Sequence, residues 1–260
     1  VQVCVPHLFH GLGMSTENVQ WKIAGINHMA WLLEVTRNGE DLYPEIKRRA
    51  LARTEKHDDM VRYEMMKQFG YYVTESSEHN AEYLPYFIKN RNPELIERFN
   101  IPLDEYPRRC INQIKGWESM RAELVENKNL THTRSHEYGS YIMESMETDV
   151  PYKIGGNVLN TGLITNLPQE ACVEVPCLVD KSGVSPTYVG ALPEQLAALN
   201  RTNINVQLLT IEAFVTGKKD HVYHAAFLDP HTSSELTLDE IRAMCDDLIE
   251  AHGDWLPKLR

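Results

Sequence analysis

Val19-Gln20-Trp21-Lys22-Ile23-Ala24-Gly25-Ile26-Asn27-His28-Met29-Ala30-Trp31-Leu32-Leu33-Glu34-Val35 is the stretch on which the fold turns. Val19, Trp21 and Ile23 alternate with less apolar neighbours, the period of a half-buried strand. Trp31 to Val35 forms a second extended run that ends at Asn38-Gly39, a dipeptide that readily supplies two consecutive left-handed residues for a tight hairpin turn. Gly25-Ile26-Asn27-His28 is then the loop between two strands.

Outward from this pair the chain becomes helical. Pro44 to about Gly70 is charged and rich in Ala, Leu and Met, with Gly70 as a C-terminal stop. Between Asp104 and Lys128, Ile111, Ile114, Trp117, Met120 and Leu124 recur at three- and four-residue spacing, which predicts a helix with that face in the core. Val173 to Val189 reads as two strands around Lys181-Ser182-Gly183, and Pro193–Thr216 and Thr237–Ala251 as helices. Thr237 and Glu240 form a capping box, and Gly253 ends the last helix. The expectation is an α/β chain of α+β character with more helix than strand. No repeat, low-complexity tract or Ser/Gly linker divides it, so residues 1–260 are expected to be one domain.

With 42% hydrophobic residues the chain can bury a sizeable core. Thirty-seven acidic against 26 basic residues give a net charge of -11, which repels a phosphate backbone and disfavours nucleic acid as a partner. The absence of a long apolar run or a signal-like start argues against a membrane and for a cytoplasmic protein. Cys4, Cys110, Cys172, Cys177 and Cys245 are odd in number and scattered, as reduced thiols would be. The triplets Asn129-Leu130-Thr131 and Asn200-Arg201-Thr202 are then accidental matches to a glycan acceptor.

Several chemistries are excluded. GxGxxG, GxSxG, a Walker loop and HExxH are all missing, and Gly11-Leu12-Gly13 alone is too little to cradle a pyrophosphate. His132 with His136, and His221 with His224, could each share a helix face, yet neither pair has a third ligand at a diagnostic spacing; both are read as surface or packing residues.

Ala24-Gly25-Ile26-Asn27-His28-Met29-Ala30-Trp31 resembles the metal-binding histidine loop of glycoside hydrolase family four. The likeness continues in Val61-Arg62-Tyr63-Glu64-Met65, in Gly70 to His79, in Leu103-Asp104-Glu105-Tyr106-Pro107 and in Gly156-Asn157-Val158 with Asn166-Leu167-Pro168. It ends in Thr202 to Gln207 and Ala251-His252-Gly253-Asp254-Trp255-Leu256-Pro257. Thr74 to Tyr83 with His252 to Trp255 is most similar to the bacterial α-galactosidase branch. Tyr71 to Asn90 holds no arginine to grip a sugar phosphate, which favours an unphosphorylated galactoside.

The resemblance implies NAD and a divalent metal such as Mn2+, with NAD oxidising the sugar at C3, C2 deprotonation expelling the glycosidic oxygen, and water then adding. This replaces the usual pair of carboxylates. It implies His28 as metal ligand, Tyr63 as the C2 base and Asp58 as an assisting carboxylate, with Asn27, Glu75, Ser76, His79 and Asn157 toward the sugar and Asn160 near substrate or cofactor. Plainer readings stand beside these: a core aromatic for Tyr63, a solvated charge for Asp58, a strand end and helix cap for Glu75, Ser76 and His79, turn residues for Asn157 and Asn160.

The resemblance also implies a fold like the C-terminal domain of lactate and malate dehydrogenases, helix-rich with a mixed or antiparallel sheet, and a homo-oligomer. An upstream nucleotide-binding domain would end in a Cys-His pair bearing the second metal ligand and the general acid. Counting back without gaps places that pair just before Val1, so that Cys4 is not the metal cysteine and the chain alone is inactive; a rival register would put Cys4 and His7 in the motif. Val3 to His10 departs from the family pattern. An α-glucosidase or α-glucuronidase of the same mechanism, or a silent oligomerisation fragment using the Ala191–Thr216 helix, are the alternatives.

Overall fold

The computed structural model describes residues 3–131, 133–135 and 137–260. Helix α1 (Cys4–Gly11) leads into β1 (Val19–Ile26) and β2 (Met29–Arg37), which pair antiparallel across the two-residue turn Asn27–His28. At Asn38 and Gly39, both left-handed, the chain turns into β3 (Glu40–Asp41), as the dipeptide predicts. Then follow α2 (Tyr43–Ala52), α3 (Met60–Phe69), β4 (Tyr72–Val73), α4 (Ser77–Tyr83), α5 (Glu94–Arg98), α6 (Glu105–Glu126) and α7 (Tyr138–Thr148). Strands β5 (Tyr152–Leu159), β6 (Cys172–Asp180) and β7 (Gly183–Pro186) precede α8 (Glu194–Thr216), α9 (Lys219–Leu228), α10 (Pro230–Glu235) and α11 (Leu238–His252).

The seven strands form one antiparallel sheet in the order β3-β2-β1-β6-β5, with β4 added to β2 and β7 to β6. Met29-Ala30-Trp31-Leu32 is buried throughout because both faces are covered. Met29 and Trp31 join a core with Val61, Val173, Val175 and the α8 residues Leu196 and Ile204. Ala30 and Leu32 join a second core with Leu8 and Phe9 of α1, Ile46 of α2 and Met66 of α3. The segment Val3 to His10, for which the sequence offered no element, is thus an amphipathic helix that closes one face.

Two expectations need correction. The helical stretch 44–70 is two helices, interrupted at Arg53 to Asp59, where His57 Nδ1 accepts from the Asp59 amide at 3.0 Å and a local side-chain bond replaces the helical one. Gly70 ends the second with φ 90°, as expected. Strand β5, which the sequence reading did not identify, carries Gly155-Gly156; at Gly156 a Cβ would lie 2.7 Å from Cys177 Sγ on β6, so the packing favours glycine there.

The largest revision concerns α6. Its span matches, but no residue on it is buried: Ile114 is 75% and Trp117 53% exposed, with Ile111, Met120 and Leu124 also at the surface. Periodicity identifies an apolar face and says nothing of which partner covers it.

Candidate functional site

Two side chains pin the tip of the β1–β2 hairpin. Asn200 of α8, fully buried, donates to the Met29 carbonyl at 2.7 Å and accepts from Trp31 Nε1 at 3.2 Å. Thr74 accepts from the Ala30 amide through Oγ1 at 3.2 Å while its own amide donates to the Ala30 carbonyl at 2.8 Å. Gly25 completes the anchoring, since a Cβ there would meet Met29 O at 2.5 Å and Ala30 Cα at 2.6 Å. Asn200, burdened with these bonds, has no room for a glycan.

His28 occupies the turn with φ 63°, a conformation that costs a non-glycine residue roughly 1 kcal/mol. Its half-buried ring stacks on His79, centroids 4.8 Å apart, and its Nδ1 lies 3.4 Å from the Tyr83 hydroxyl. His79 and Tyr83 stand four apart on one face of α4. Ser76 caps that helix by accepting from the His79 amide at 3.2 Å, and His79 Nδ1 is 3.0 Å from a Glu82 carboxylate oxygen. Burial lowers the pKa of His28 and so favours the neutral imidazole, while the Glu75 carboxylate opposes the shift.

Glu75 also has a left-handed backbone, φ 69°. What holds it there is Arg62 of α3, whose guanidinium donates to the Glu75 carbonyl and to the Asp59 carboxylate. Arg62 is 5% and Asp59 1% exposed. Tyr72 donates its hydroxyl to the same carboxylate at 3.1 Å, and the Arg62 amide donates to Ser77 Oγ at 3.4 Å. A buried charge cluster therefore positions the strand-to-helix turn that carries Glu75, Ser76 and His79.

Tyr63, on the same helix α3, is buried and its ring neighbours are His57 at 4.9 Å and Tyr72 at 6.3 Å. Its hydroxyl has no hydrogen-bond partner among the described residues. Burial, with the Asp59 carboxylate, pushes the phenol up, opposed by the Arg53 guanidinium. Asp58 points to solvent, 3.6 Å from His7, whereas its neighbour Asp59 is the buried carboxylate. Cys4 is buried in α1 with its thiol pushed up to about 12 by burial, the reverse of what a ligand thiolate needs.

Of the remaining candidates, Asn27 is an exposed turn residue and Asn157 lies exposed on β5, paired with Glu174. Asn160 is a fully buried clamp: Nδ2 donates to the carbonyls of Ile164, Leu167 and Pro168, and Oδ1 accepts from the Ile164 amide at 2.8 Å. Glu174, which the sequence reading passed over, pairs with Gly25 beside the hairpin. It is 6% exposed, and burial with the Glu75 charge raises its carboxyl to about 7. Arg62, Asp59 and Tyr83 were missed as well, although all three lie inside or beside the quoted blocks.

The structure thus gathers His28, Glu75, Ser76 and His79 at one place, and sets Tyr63 and Asp58 by His57 at the start of α3. A cleft of about 830 Å³ between β1, β5 and α1, lined by Trp21, Tyr138 and Tyr152, is lined by none of the predicted site residues. His132 and His136 lie outside the described residues, and His221 and His224 only stack loosely, 6.1 Å apart. Among the described residues no three His, Cys, Asp or Glu converge as a metal site, and no helix is long and apolar enough to cross a membrane.

Comparison with known proteins gives the context. The chain is 66% identical over 261 positions to an alpha-galactosidase of Bacillus subtilis, covering 100% of this chain and 60% of the relative. It is 32% identical over 263 positions to an alpha-galactosidase of Rhizobium meliloti, covering 95% and 52%. The 66% alignment includes Val3 to His10, so that departure is contained within the match to this relative. In structure it resembles a 6-phospho-alpha-glucosidase from gut microorganisms solved with NAD and Mn2+, TM-score 0.73 at 21% identity, covering 100% of this chain and 60% of that one. A 6-phospho-beta glucosidase from Thermotoga maritima, with manganese, NAD+ and glucose-6-phosphate, gives 0.72 at 18%, covering 98% and 59%. At those identities the likeness establishes the fold. The chain therefore spans three fifths or less of each relative compared. Residues 23–232 match the family described as the family 4 glycosyl hydrolase C-terminal domain, and the chain belongs to that family.

Proposed function

We propose that this chain is the sugar-facing domain of an α-galactosidase that works with NAD and a divalent metal, and that catalysis belongs to a longer polypeptide with a nucleotide-binding domain. The observation that carries the reading is the 66% identity to an alpha-galactosidase along the whole chain. The lack of any arginine between Tyr71 and Asn90 supports a galactoside without phosphate.

The donor chemistry at the hairpin suits manganese through one ligand, the neutral imidazole of His28. The described residues do not complete a site, because no group of three donors converges, and they contain no glycine-rich pyrophosphate loop. What the chain itself supplies is a polar wall of His28, His79, Glu75 and Tyr83, facing the several hydroxyls of a hexose with paired donors and acceptors. Tyr63 is the proposed base at the sugar C2. Its phenol is held protonated by burial here, so the role requires added positive charge beside it.

The test joins this chain behind the amino-terminal portion of the Bacillus subtilis relative and assays chromogenic glycosides with NAD, Mn2+ and a thiol reductant. The chimera is expected to prefer the α-galactoside over the α-glucoside, to lose at least about a hundredfold in kcat/KM with His28→Ala, and to be matched by no turnover from the chain alone. A preference for the α-glucoside, or hydrolysis by the chain alone, overturns the reading.

A further inference from the structure

On β6 the side chains of Val173 and Val175 enter the core shared with Trp31 and α8. Glu174 between them therefore points to the opposite face of the sheet, where Ile23 packs with α1. Its cross-strand partners are Gly25 on β1 and Asn157 on β5, which sets three residues abreast on that face. Gly25 brings no side chain to the row, and Asn157 is exposed. The row presents a carboxyl group between an empty position and an amide.

Glu174 is 6% exposed, yet no hydrogen bond or ion pair reaches its carboxyl from the other described residues. A carboxyl kept for the fold alone would be partnered, because an unpaired buried charge is costly. Burial, with the Glu75 carboxylate, raises its pKa to about 7. Glu75 acts on His28 as well, so the row and the His28 wall lie within reach of one carboxylate. Two residues along each strand on the same face, Ile23, Pro176 and Gly155 line the cleft of about 830 Å³. The row thus continues the floor of that cleft.

We infer that Glu174 contacts the galactose itself, its two oxygens taking a pair of neighbouring sugar hydroxyls in the space left by Gly25, with the Asn157 amide beside it. The inference rests on the α-galactosidase reading and adds a residue to its sugar site. A carboxylate suits this task because both of its oxygens accept, and a hexose offers hydroxyls on adjacent carbons. A glutamine at the same place keeps one acceptor and turns the other position into a donor.

Galactose binding to the chimera described above, with NAD and Mn2+ present, is measured by titration calorimetry beside thermal melts at pH 8. The wild type is expected to bind galactose more tightly than glucose. Glu174→Gln and Glu174→Met are each expected to raise the galactose Kd by about tenfold or more while melting no lower than the wild type. Lost binding without lost stability separates a sugar contact from a structural carboxyl. A galactose Kd within about twofold of the wild type in either variant overturns the inference. So does a fall in melting temperature, which would make Glu174 part of the scaffold. A wild type that binds glucose as tightly as galactose overturns the α-galactosidase reading and this inference together.

Discussion

Replacing Arg62 by methionine tests whether the buried charge cluster holds the α3–α4 turn. Arg62 and Asp59 are 5% and 1% exposed, and Arg62 also donates to the Glu75 carbonyl. The substitution keeps the volume but leaves the Asp59 carboxylate buried with Tyr72 as its hydrogen-bonding partner and His7 at 3.5 Å. Removing one member of such a pair costs about 3–5 kcal/mol, chiefly as an uncompensated charge. With an m-value of about 3 kcal/mol/M in urea, the midpoint should fall by roughly 1–1.7 M without a change in slope. The companion Arg62→Met/Asp59→Asn removes the orphaned charge and should recover more than half of the loss. Equilibrium urea unfolding of the three proteins, followed by tryptophan fluorescence, decides it. A single-variant loss below about 1 kcal/mol, or a double variant worse than the single, refutes the argument that the pair is dry and mutually dependent.

Gly25→Ala should cost at least about 2 kcal/mol in the same assay, because its Cβ collides with the Met29 carbonyl and Ala30 Cα of the facing strand and neither is a movable side-chain end. An unchanged midpoint would contradict that. Glu174 has a folded-state pKa near 7 against an ordinary 4.5, so it costs the fold nothing below pH 4.5 and its penalty grows until pH passes 7. Glu174→Gln should therefore stabilise the protein at pH 8, by up to about 3 kcal/mol, and leave it unchanged near pH 4.5; thermal melts at the two pH values with the opposite ordering would reject this. His28 titrates in the other sense: with its pKa lowered from 6.5 by burial, stability falls as pH drops below 6.5, and His28→Asn, compatible with the left-handed turn, should flatten the melting curve against pH between 7.5 and 5.5.

Local pattern was enough for the β1–β2 pair, the Asn38-Gly39 turn, α8 and the Thr237–Glu240 capping box, because in each the deciding contacts lie within a few residues of one another. It failed where partners are distant. Strand β5 went unidentified: its Gly156 lies against Cys177 of β6, more than twenty residues away. The stripe on α6 was assigned to the core because amphipathicity reports a need for cover and not its source. At the site, His28 and the turn from Glu75 to His79 were legible through resemblance to a family. The charge pair that places them was not: the solvated-charge reading of Asp58 gives no sign that Asp59 beside it is buried against Arg62. Glu174 is visible only once β6 is known to lie against Gly25.

The location of His28 is decided by backbone: a two-residue turn, a buried asparagine and a threonine behind it, and a glycine that lets the strands close. Little of that anchoring touches the imidazole. Position and chemistry are thus separable at this point of the chain, and a different side chain placed at residue 28 would inherit the same address in space. The hairpin is in that sense a socket, in which the side chain at residue 28 can be exchanged while the scaffold around it stays as it is.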